Sequence, residues 1–211
     1  ARRLDAVWSR RVEHGCFPLA SCLIADCLER GRDFDRGGAR YNWVENSFVG
    51  LANLVDSLLA IRQLVYADGE MALEELHDIL KRDFEGSEPL RQRILNTLPK
   101  YGNNQDDADD LAVDLADFLI ETTGSHHVGL HRYVPGFFCW VMHERMGSAT
   151  AATPDGRRSG MPLADGAGAA QGRENQGPCA SVLSTTKWAH RDVLGGLVHN
   201  AKFSRSMLST A

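Results

Sequence analysis

The most informative absence from this chain of 211 residues is an excess of basic side chains. It carries 23 Lys and Arg against 28 Asp and Glu, which gives a net charge of −5 at pH 7. A protein that binds nucleic acid normally presents a basic patch that neutralises phosphate groups. We therefore set nucleic acid aside as a partner.

Cysteine is also scarce: the sequence has five, an odd number, and most of them lie in apolar runs. Disulfide frameworks are typical of secreted proteins, whereas reduced thiols are typical of the cytoplasm, where we place this protein. Cys22 and Cys27 have no His-x-x-x-His partner motif, and we predict no metal site. Cys16 follows Gly15 in the stretch HGCFP, and we interpret it as a buried structural thiol rather than a nucleophile.

The sequence has no uninterrupted apolar run of membrane-spanning length. Residues 48–66 are nearly long enough, but Asn53, Asp56, Arg62 and Gln63 interrupt them. Polar residues at such a density favour a helix in a large soluble core. We therefore predict no membrane association.

Nucleotide-binding motifs are missing as well. The stretch GAGAAQG gives G-x-G-x-x-x-G, one residue longer than the dinucleotide fingerprint, and it follows a loop rather than a strand. His127 and His131 have the i, i+4 spacing of a helical metal pair, but Gly124 and Gly129 argue against a helix there. Neither stretch defines a site.

Hydrophobic periodicity indicates a helix-rich α/β protein. The predicted helices are residues 4–12, 18–28, 48–66, 72–84, 89–98 and 106–122, and the predicted strands are residues 39–44, 136–143 and 196–203. The acidic residues that start the 106–122 segment suit the positive end of a helix dipole. We interpret them as a helix start and not as a calcium site.

Two Gly-rich stretches follow the predicted strand at 136–143. The first, ATPDGRRSGMPLADG at residues 152–166, can be neither helix nor strand. Loops of such length in a compact domain are usually functional or disordered. Apolar residues such as Met161 and Leu163 alternate with Gly and Asp, so we predict ordered, packed loops. Asp155, Arg157 and Asp165 are expected to tie their turns together.

Several stretches together resemble one family. They are ERGRDFDRGGARYN (29–42), VGLANLVDSLLAIRQLV (49–65), LPKYGNNQDDAD (98–109), ATPDGRRSGMPLADG (152–166), QGRENQGPCA (171–180) and NAKFS (200–204). In this order and at these separations they resemble the glycyl radical enzymes of the pyruvate formate-lyase-like superfamily, in the dehydratase and decarboxylase branch. The resemblance covers nearly the whole chain.

The resemblance implies a ten-stranded α/β barrel wrapped in helices. It also implies a mechanism in which a glycyl radical near the carboxyl terminus oxidises a cysteine at the barrel centre, and the thiyl radical attacks the substrate. A separate activating enzyme with an iron–sulfur cluster and S-adenosylmethionine installs the radical, so this chain binds no cofactor directly. A homodimer is expected for the full-length protein.

The sequence departs from the family at both catalytic centres. The family's cysteine lies in a G-C-x-E motif upstream, and Cys16 lacks the following Glu, so we do not give it that role. The R-V-x-G-Y motif of the radical glycine is also absent. We expect residues 1–211 to be the later part of the main barrel domain, inactive alone, with both catalytic residues outside the chain.

Three residues are candidates for substrate binding. Glu45 lies in WVENSF, where many relatives carry small residues and Pro, and it could hold a substrate hydroxyl or accept a proton; the alternative is a surface or helix-capping Glu. Phe138 and Trp140 alternate on the predicted strand, so one face of it could line the pocket or pack in the core. His143 is a candidate at the end of that strand.

The sequence thus leads to a fragment of a glycyl radical enzyme that cleaves a C–O or C–C bond of a small molecule. Dehydratases, decarboxylases and acyltransferases of the formate-lyase type all remain open. The alternative is a non-catalytic paralogue or fragment that serves as an assembly or binding module.

Overall fold

A computed structural model describes residues 2–201 and 203 of the chain, apart from the side chains of residues 2 and 4. These residues form eight α-helices and four strands. The helices are α1 (Arg2–His14), α2 (Pro18–Cys22), α3 (Leu51–Ile61), α4 (Leu73–Lys81), α5 (Glu88–Thr97), α6 (Asp106–Gly124), α7 (Met142–Ser148) and α8 (Pro178–Thr186). The strands are β1 (Trp43–Ser47), β2 (His127–Val128), β3 (His131–Phe137) and β4 (Gly196–Leu197).

The strands form one sheet with β3 at its centre. β1 and β4 pair with β3 in parallel, and β2 pairs with it antiparallel. Parallel strands need long crossover connections, and the helices α3 to α6 supply the one between β1 and β3. The described residues therefore make a mixed α/β unit, as the hydrophobic pattern predicts.

The apolar segment at residues 48–66 is the central helix, as predicted. It runs through α3 and continues as a π-helical turn, Arg62–Ala67. Two of its four polar residues, Asn53 and Asp56, are almost fully buried and hydrogen-bonded, whereas Arg62 is exposed and Gln63 is half-buried. α6 packs against α3 and β3, and Asp106, Asp107 and Asp109 form its first turn.

The main core lies between α3, α6 and the inner face of the sheet. Its largest members are Tyr101, Phe137 and Trp188, all nearly inaccessible to solvent. The rings of Phe137 and Trp188 meet edge to face with centroids 4.9 Å apart. The Tyr101 hydroxyl donates to the Ala167 carbonyl at 2.9 Å, so the core also holds the second Gly-rich stretch, GAGAAQGRENQGP at residues 166–178.

The first Gly-rich loop is ordered and packed, as predicted. Arg157 is 5% exposed, and its guanidinium donates to the carbonyls of Thr150, Ala151, Arg158 and Met161. Asp155 is fully buried and accepts from Asn53 Nδ2 on α3 at 2.7 Å. Side chains thus satisfy the backbone groups that a helix or strand would otherwise pair.

Three local predictions near the amino terminus are wrong in whole or in part. The helix that begins at Pro18 ends at Cys22 instead of Leu28, and turns follow it. Cys16 is exposed rather than buried. The strand expected at residues 39–44 begins at Trp43 and continues to Ser47, because β3 offers parallel partners only from Arg132 onward.

The strand predicted at residues 136–143 is also wrong in most of its length. β3 starts five residues earlier, at His131, and ends at Phe137. Trp140 then has a φ of +51°, which takes the chain out of extended conformation. His143 lies in α7 and not in a strand.

The last predicted strand, residues 196–203, is reduced to Gly196–Leu197 in the described part of the chain, and its residue 202 lies outside that part. Within residues 2–201 and 203, no helix combines the length and the apolar character needed to cross a bilayer.

Candidate substrate-facing site

The two faces of the sheet differ in what covers them. Asn46 and Tyr133 share a pocket with Leu119 and Thr122 of α6, so they lie on the helix-covered face. Side chains alternate along a strand, and Trp43, Glu45 and Ser47 therefore lie on the opposite face. All three of these are exposed, whereas Val44 between them is buried. The second face is therefore exposed along β1, and we call it the open face, although Val134 of β3 on the same face is buried.

Glu45 lies in the middle of this open face. Its side chain extends across the neighbouring strands, over two glycines that leave room for it. A Cβ at Gly136 would lie 2.2 Å from Glu45 Oε1, and a Cβ at Gly195 would lie 2.5 Å from Glu45 Cγ. Any other residue at either position would displace the carboxylate. Glu45 does not cap a helix, because α3 begins after Gly50.

Phe138 follows the last residue of β3 and lines a pocket of about 410 Å³ at the carboxyl ends of β3 and β4. Its ring lies against Gly196, 3.6 Å from the position of a Cβ there. Since Glu45 lies against Gly195, the carboxylate and the aromatic ring border the same Gly-Gly turn. The structure thus brings two of the three predicted residues to one end of the sheet.

His143 lies at the edge of this pocket and not in its lining. Its Nδ1 is 3.7 Å from Sγ of Cys139, and that thiol donates to the Asp165 carbonyl at 3.1 Å. Burial raises the pKa of the Cys139 thiol, so it stays protonated at neutral pH. His143 is therefore joined to the pocket through Cys139.

The Gly-rich loop closes this end of the sheet. Gly166 forms a β-bridge with Phe138, and Ala167 N donates to the Val198 carbonyl at 2.9 Å. A Cβ at Gly166 would lie 2.3 Å from the Val198 oxygen, so only glycine allows this approach. The loop therefore lies at the carboxyl ends of the parallel strands.

Sequence reasoning did not predict that Asp165 and Asn200 would meet in this pocket. The Asn200 amide donates to the Asp165 carboxylate, and both line the cavity with Phe138. Asp165 lies in the stretch PLADG and Asn200 in the stretch NAKFS. Both stretches carry the family resemblance, and that was the signal from which their proximity could have been predicted. Asp155 and Arg157 hold the loop together, as predicted, and do not line the pocket.

A second group of charges is buried behind the site, between α3 and the loop that follows α5. Asp56 Oδ1 accepts from Tyr101 N at 2.9 Å, while its Oδ2 has no hydrogen-bond partner among the described residues. Burial raises the pKa of the Asp56 carboxyl to about 7. Lys100 Nζ is bonded to the Ile94 carbonyl at 2.7 Å and thereby caps α5.

Metal binding has no support in this part of the chain. Residues 2–201 and 203 contain no cluster of three His, Cys, Asp or Glu side chains with the geometry of a metal site. All five cysteines are free thiols. His127 and His131 lie on a hairpin of β2 and β3 and not on a helix.

The family model described as pyruvate formate lyase-like matches residues 5–144 of this chain. That range is more than half of the sequence and contains β1, β3, α3 and α6. The chain belongs to the pyruvate formate lyase-like family of glycyl radical enzymes.

Named relatives agree with this membership. The chain is 37% identical over 199 residues to the probable dehydratase YbiW of Escherichia coli K12, a match that covers 90% of this chain and 25% of the relative. It is 32% identical to the glycerol-bound B12-independent glycerol dehydratase of Clostridium butyricum, with a TM-score of 0.85, over 92% of this chain and 25% of that one.

The chain is also similar in structure to a glycyl radical enzyme of Archaeoglobus fulgidus, with 30% identity and a TM-score of 0.85. This match covers 93% of this chain and 25% of that one. The fold is thus that of part of a glycyl radical enzyme barrel, as the resemblance implies. The chain spans about a quarter of the length of the relatives it matches.

Proposed function

We propose that this chain is a wall of the substrate cavity in a glycyl radical lyase that breaks a C–O or C–C bond of a small molecule. The observation that carries the proposal is the open face of the sheet, with Glu45 on it, closed at one end by the Gly-rich loop. Similarity to a dehydratase in both sequence and fold supports the same class of reaction.

In the proposed reaction, a thiyl radical takes a hydrogen atom from the substrate carbon that carries a hydroxyl group. Loss of the neighbouring leaving group as hydroxide, with the proton from the first hydroxyl, gives water and a carbonyl compound that still holds the unpaired electron. That radical takes a hydrogen atom back from the thiol. Atoms and electrons balance, and no external oxidant is consumed.

The residues of this chain would bind the substrate and exclude water. Glu45 would contact a polar group of the substrate, and Phe138 would form an apolar wall beside it. His143 would act from the edge, through Cys139. The Gly166 bridge would keep the cavity closed, which protects radical intermediates from side reactions. The catalytic cysteine and the radical glycine would lie outside residues 1–211, and this segment would be inactive alone.

The full-length protein would need a partner that installs the radical, an activating enzyme with an iron–sulfur cluster and S-adenosylmethionine. A cytoplasmic homodimer is part of the same proposal. The relatives include sulfite-lyases and a decarboxylase as well as dehydratases, so the bond that is cleaved is chosen by the side chains that line the cavity.

The test uses the full-length protein, activated anaerobically. We expect Glu45→Gln to slow turnover of the cognate substrate at least ten-fold while the radical yield stays that of the wild type. Glu75→Gln on the exposed face of α4 is the matched control and should change neither quantity. Unchanged turnover in Glu45→Gln would remove Glu45 from the site, and absence of any lyase activity would favour the non-catalytic alternative.

A further inference from the structure

The charge of Glu45 has no partner in the described part of the molecule. No described side chain forms an ion pair with it within 4 Å or a hydrogen bond to it. Ser47 lies two residues further along the same face. Its hydroxyl donates to the Phe138 carbonyl and so does not donate to Glu45. A carboxylate that loses its water when a cavity closes needs a compensating positive group.

The basic residues of the neighbouring strand do not supply that group. Arg132 is the register partner of Trp43, but its guanidinium reaches to Gly124, 3.6 Å from the position of a Cβ there, at the end of α6. His131 is buried, and its ring lies against Trp8 of α1 with centroids 5.4 Å apart. The Arg132 guanidinium is thus directed away from Glu45, and burial lowers the pKa of His131, which favours its neutral form.

Aromatic rings lie on both sides of the carboxylate. Trp43 precedes Glu45 by two residues and therefore shares its face of the sheet. Its ring pairs with that of Tyr41 at a centroid distance of 5.0 Å, and the two residues are 42% and 66% exposed. Phe138 lies on the other side, beyond Gly195 and Gly196.

An unpaired carboxylate beside an exposed aromatic pair, with the partly buried Phe138 ring on its other side, is an arrangement that can bind organic cations. The carboxylate supplies the opposite charge, and the negative faces of the rings attract the same cation. A neutral hydroxyl would donate a hydrogen bond to Glu45 but would gain nothing from the rings. An anion would be repelled.

We propose that the cavity takes a substrate with a cationic nitrogen, an ammonium group held by Glu45 beside Trp43. This inference rests on the proposed function, which it deepens by naming the substrate class. Gly136 and Gly195 are part of the proposed binding site, because the absence of a side chain at each leaves the space in which the Glu45 side chain lies. The bond that is cleaved would then lie in or next to the carbon chain that carries the ammonium group.

The test measures binding to the full-length protein before activation, so that it does not depend on the radical. Three probes share a two-carbon skeleton and differ in charge: ethanolamine, ethane-1,2-diol and glycolate. Ligand-observed NMR titration should give the order ethanolamine, then the diol, then glycolate. Glu45→Gln should weaken ethanolamine binding about ten-fold and leave the diol unchanged.

Trp43→Leu should weaken ethanolamine binding about three-fold, whereas the Glu75→Gln control should bind all three probes like the wild type. Circular dichroism confirms that each variant is folded. Equal or tighter binding of the diol or glycolate, no ethanolamine binding, or no effect of Glu45→Gln would overturn the inference. A protein that forms its radical yet prefers the diol would keep the proposed function and lose only the cationic substrate class.

Discussion

The two faces of the sheet differ in how far their side chains are buried and paired. On the helix-covered face the large core side chains Tyr133 and Phe137 are buried, and the irregular loop beside it is held by hydrogen bonds that Arg157 donates and Asp155 accepts. On the open face, an aromatic pair and a carboxylate lie exposed without partners among the described residues. The first face carries most of the buried contacts of the fold, and the second is the one to which our proposal assigns ligand binding.

The largest effect should come from breaking the covered side at Arg157. Arg157→Met leaves several buried loop carbonyls without donors, and we expect a loss of about 3 kcal/mol in the free energy of unfolding. The neighbouring Arg158→Met is the matched control, because Arg158 makes surface ion pairs with Glu88 and Asp83 and should lose less than about 1 kcal/mol. Denaturant unfolding of the two variants compares them directly, and equal losses would contradict the account.

A second effect concerns pH. The pKa of Asp56 is about 7 in the folded protein and 3.8 in the unfolded reference, so the folded state binds the proton more tightly. Stability should therefore fall as pH rises from about 4 to about 7, by at most about 4 kcal/mol, and this loss persists above pH 7. Asp56→Asn should flatten this slope in unfolding experiments at several pH values.

Asp110→Asn on the exposed side of α6 is the control for the pH experiment and should keep the wild-type slope. A slope that survives in Asp56→Asn would assign the pH dependence to other groups.

A third, smaller effect separates two glycines of one loop. Gly166→Ala places a methyl group 2.3 Å from the Val198 oxygen and should cost about 1–3 kcal/mol. Gly168→Ala meets only ordinary contacts, the nearest 3.4 Å away on His199, and should cost clearly less. Thermal unfolding of the pair measures the difference. Equal costs would show that the Gly166 bridge to Phe138 does not restrain the loop.

The smallest effect on stability is expected on the open face. Glu45→Gln keeps the shape of an exposed side chain and should change the free energy of unfolding by less than about 0.5 kcal/mol, whereas Trp43→Leu removes the ring that pairs with Tyr41 and should cost about 1 kcal/mol. The same two variants are those with the largest expected effect on ligand binding. A large loss of stability in either variant would show that the open face, like the covered face, stabilises the fold.

Much of the fold follows from local patterns. The apolar run before Tyr66, the acidic start of α6 and the Gly-rich loop lie where the sequence predicts them, because burial, the helix dipole and turn chemistry act on neighbouring residues. The resemblance to glycyl radical enzymes was needed for the barrel and for the reaction, since neither follows from periodicity.

The candidate site was predicted less well, for a physical reason. Residues 138–143 read as a continuation of a buried strand, but Gly166 pairs with Phe138 from across the loop, and Trp140 turns the chain at positive φ. Contacts between residues so distant in sequence leave no local pattern. The location of Glu45 could be predicted from its position at the end of a predicted strand. The roles of Glu45, Phe138 and His143 in substrate binding stay predictions.

The most direct test of the central claim is electron paramagnetic resonance of the full-length protein after anaerobic incubation with its activating enzyme, S-adenosylmethionine and a reductant. The account predicts a glycyl radical signal of equal intensity in the wild type and in Glu45→Gln, with turnover reduced only in the variant. Absence of the signal, under conditions that activate a dehydratase of the family in parallel, would contradict the account and leave a barrel wall without radical chemistry.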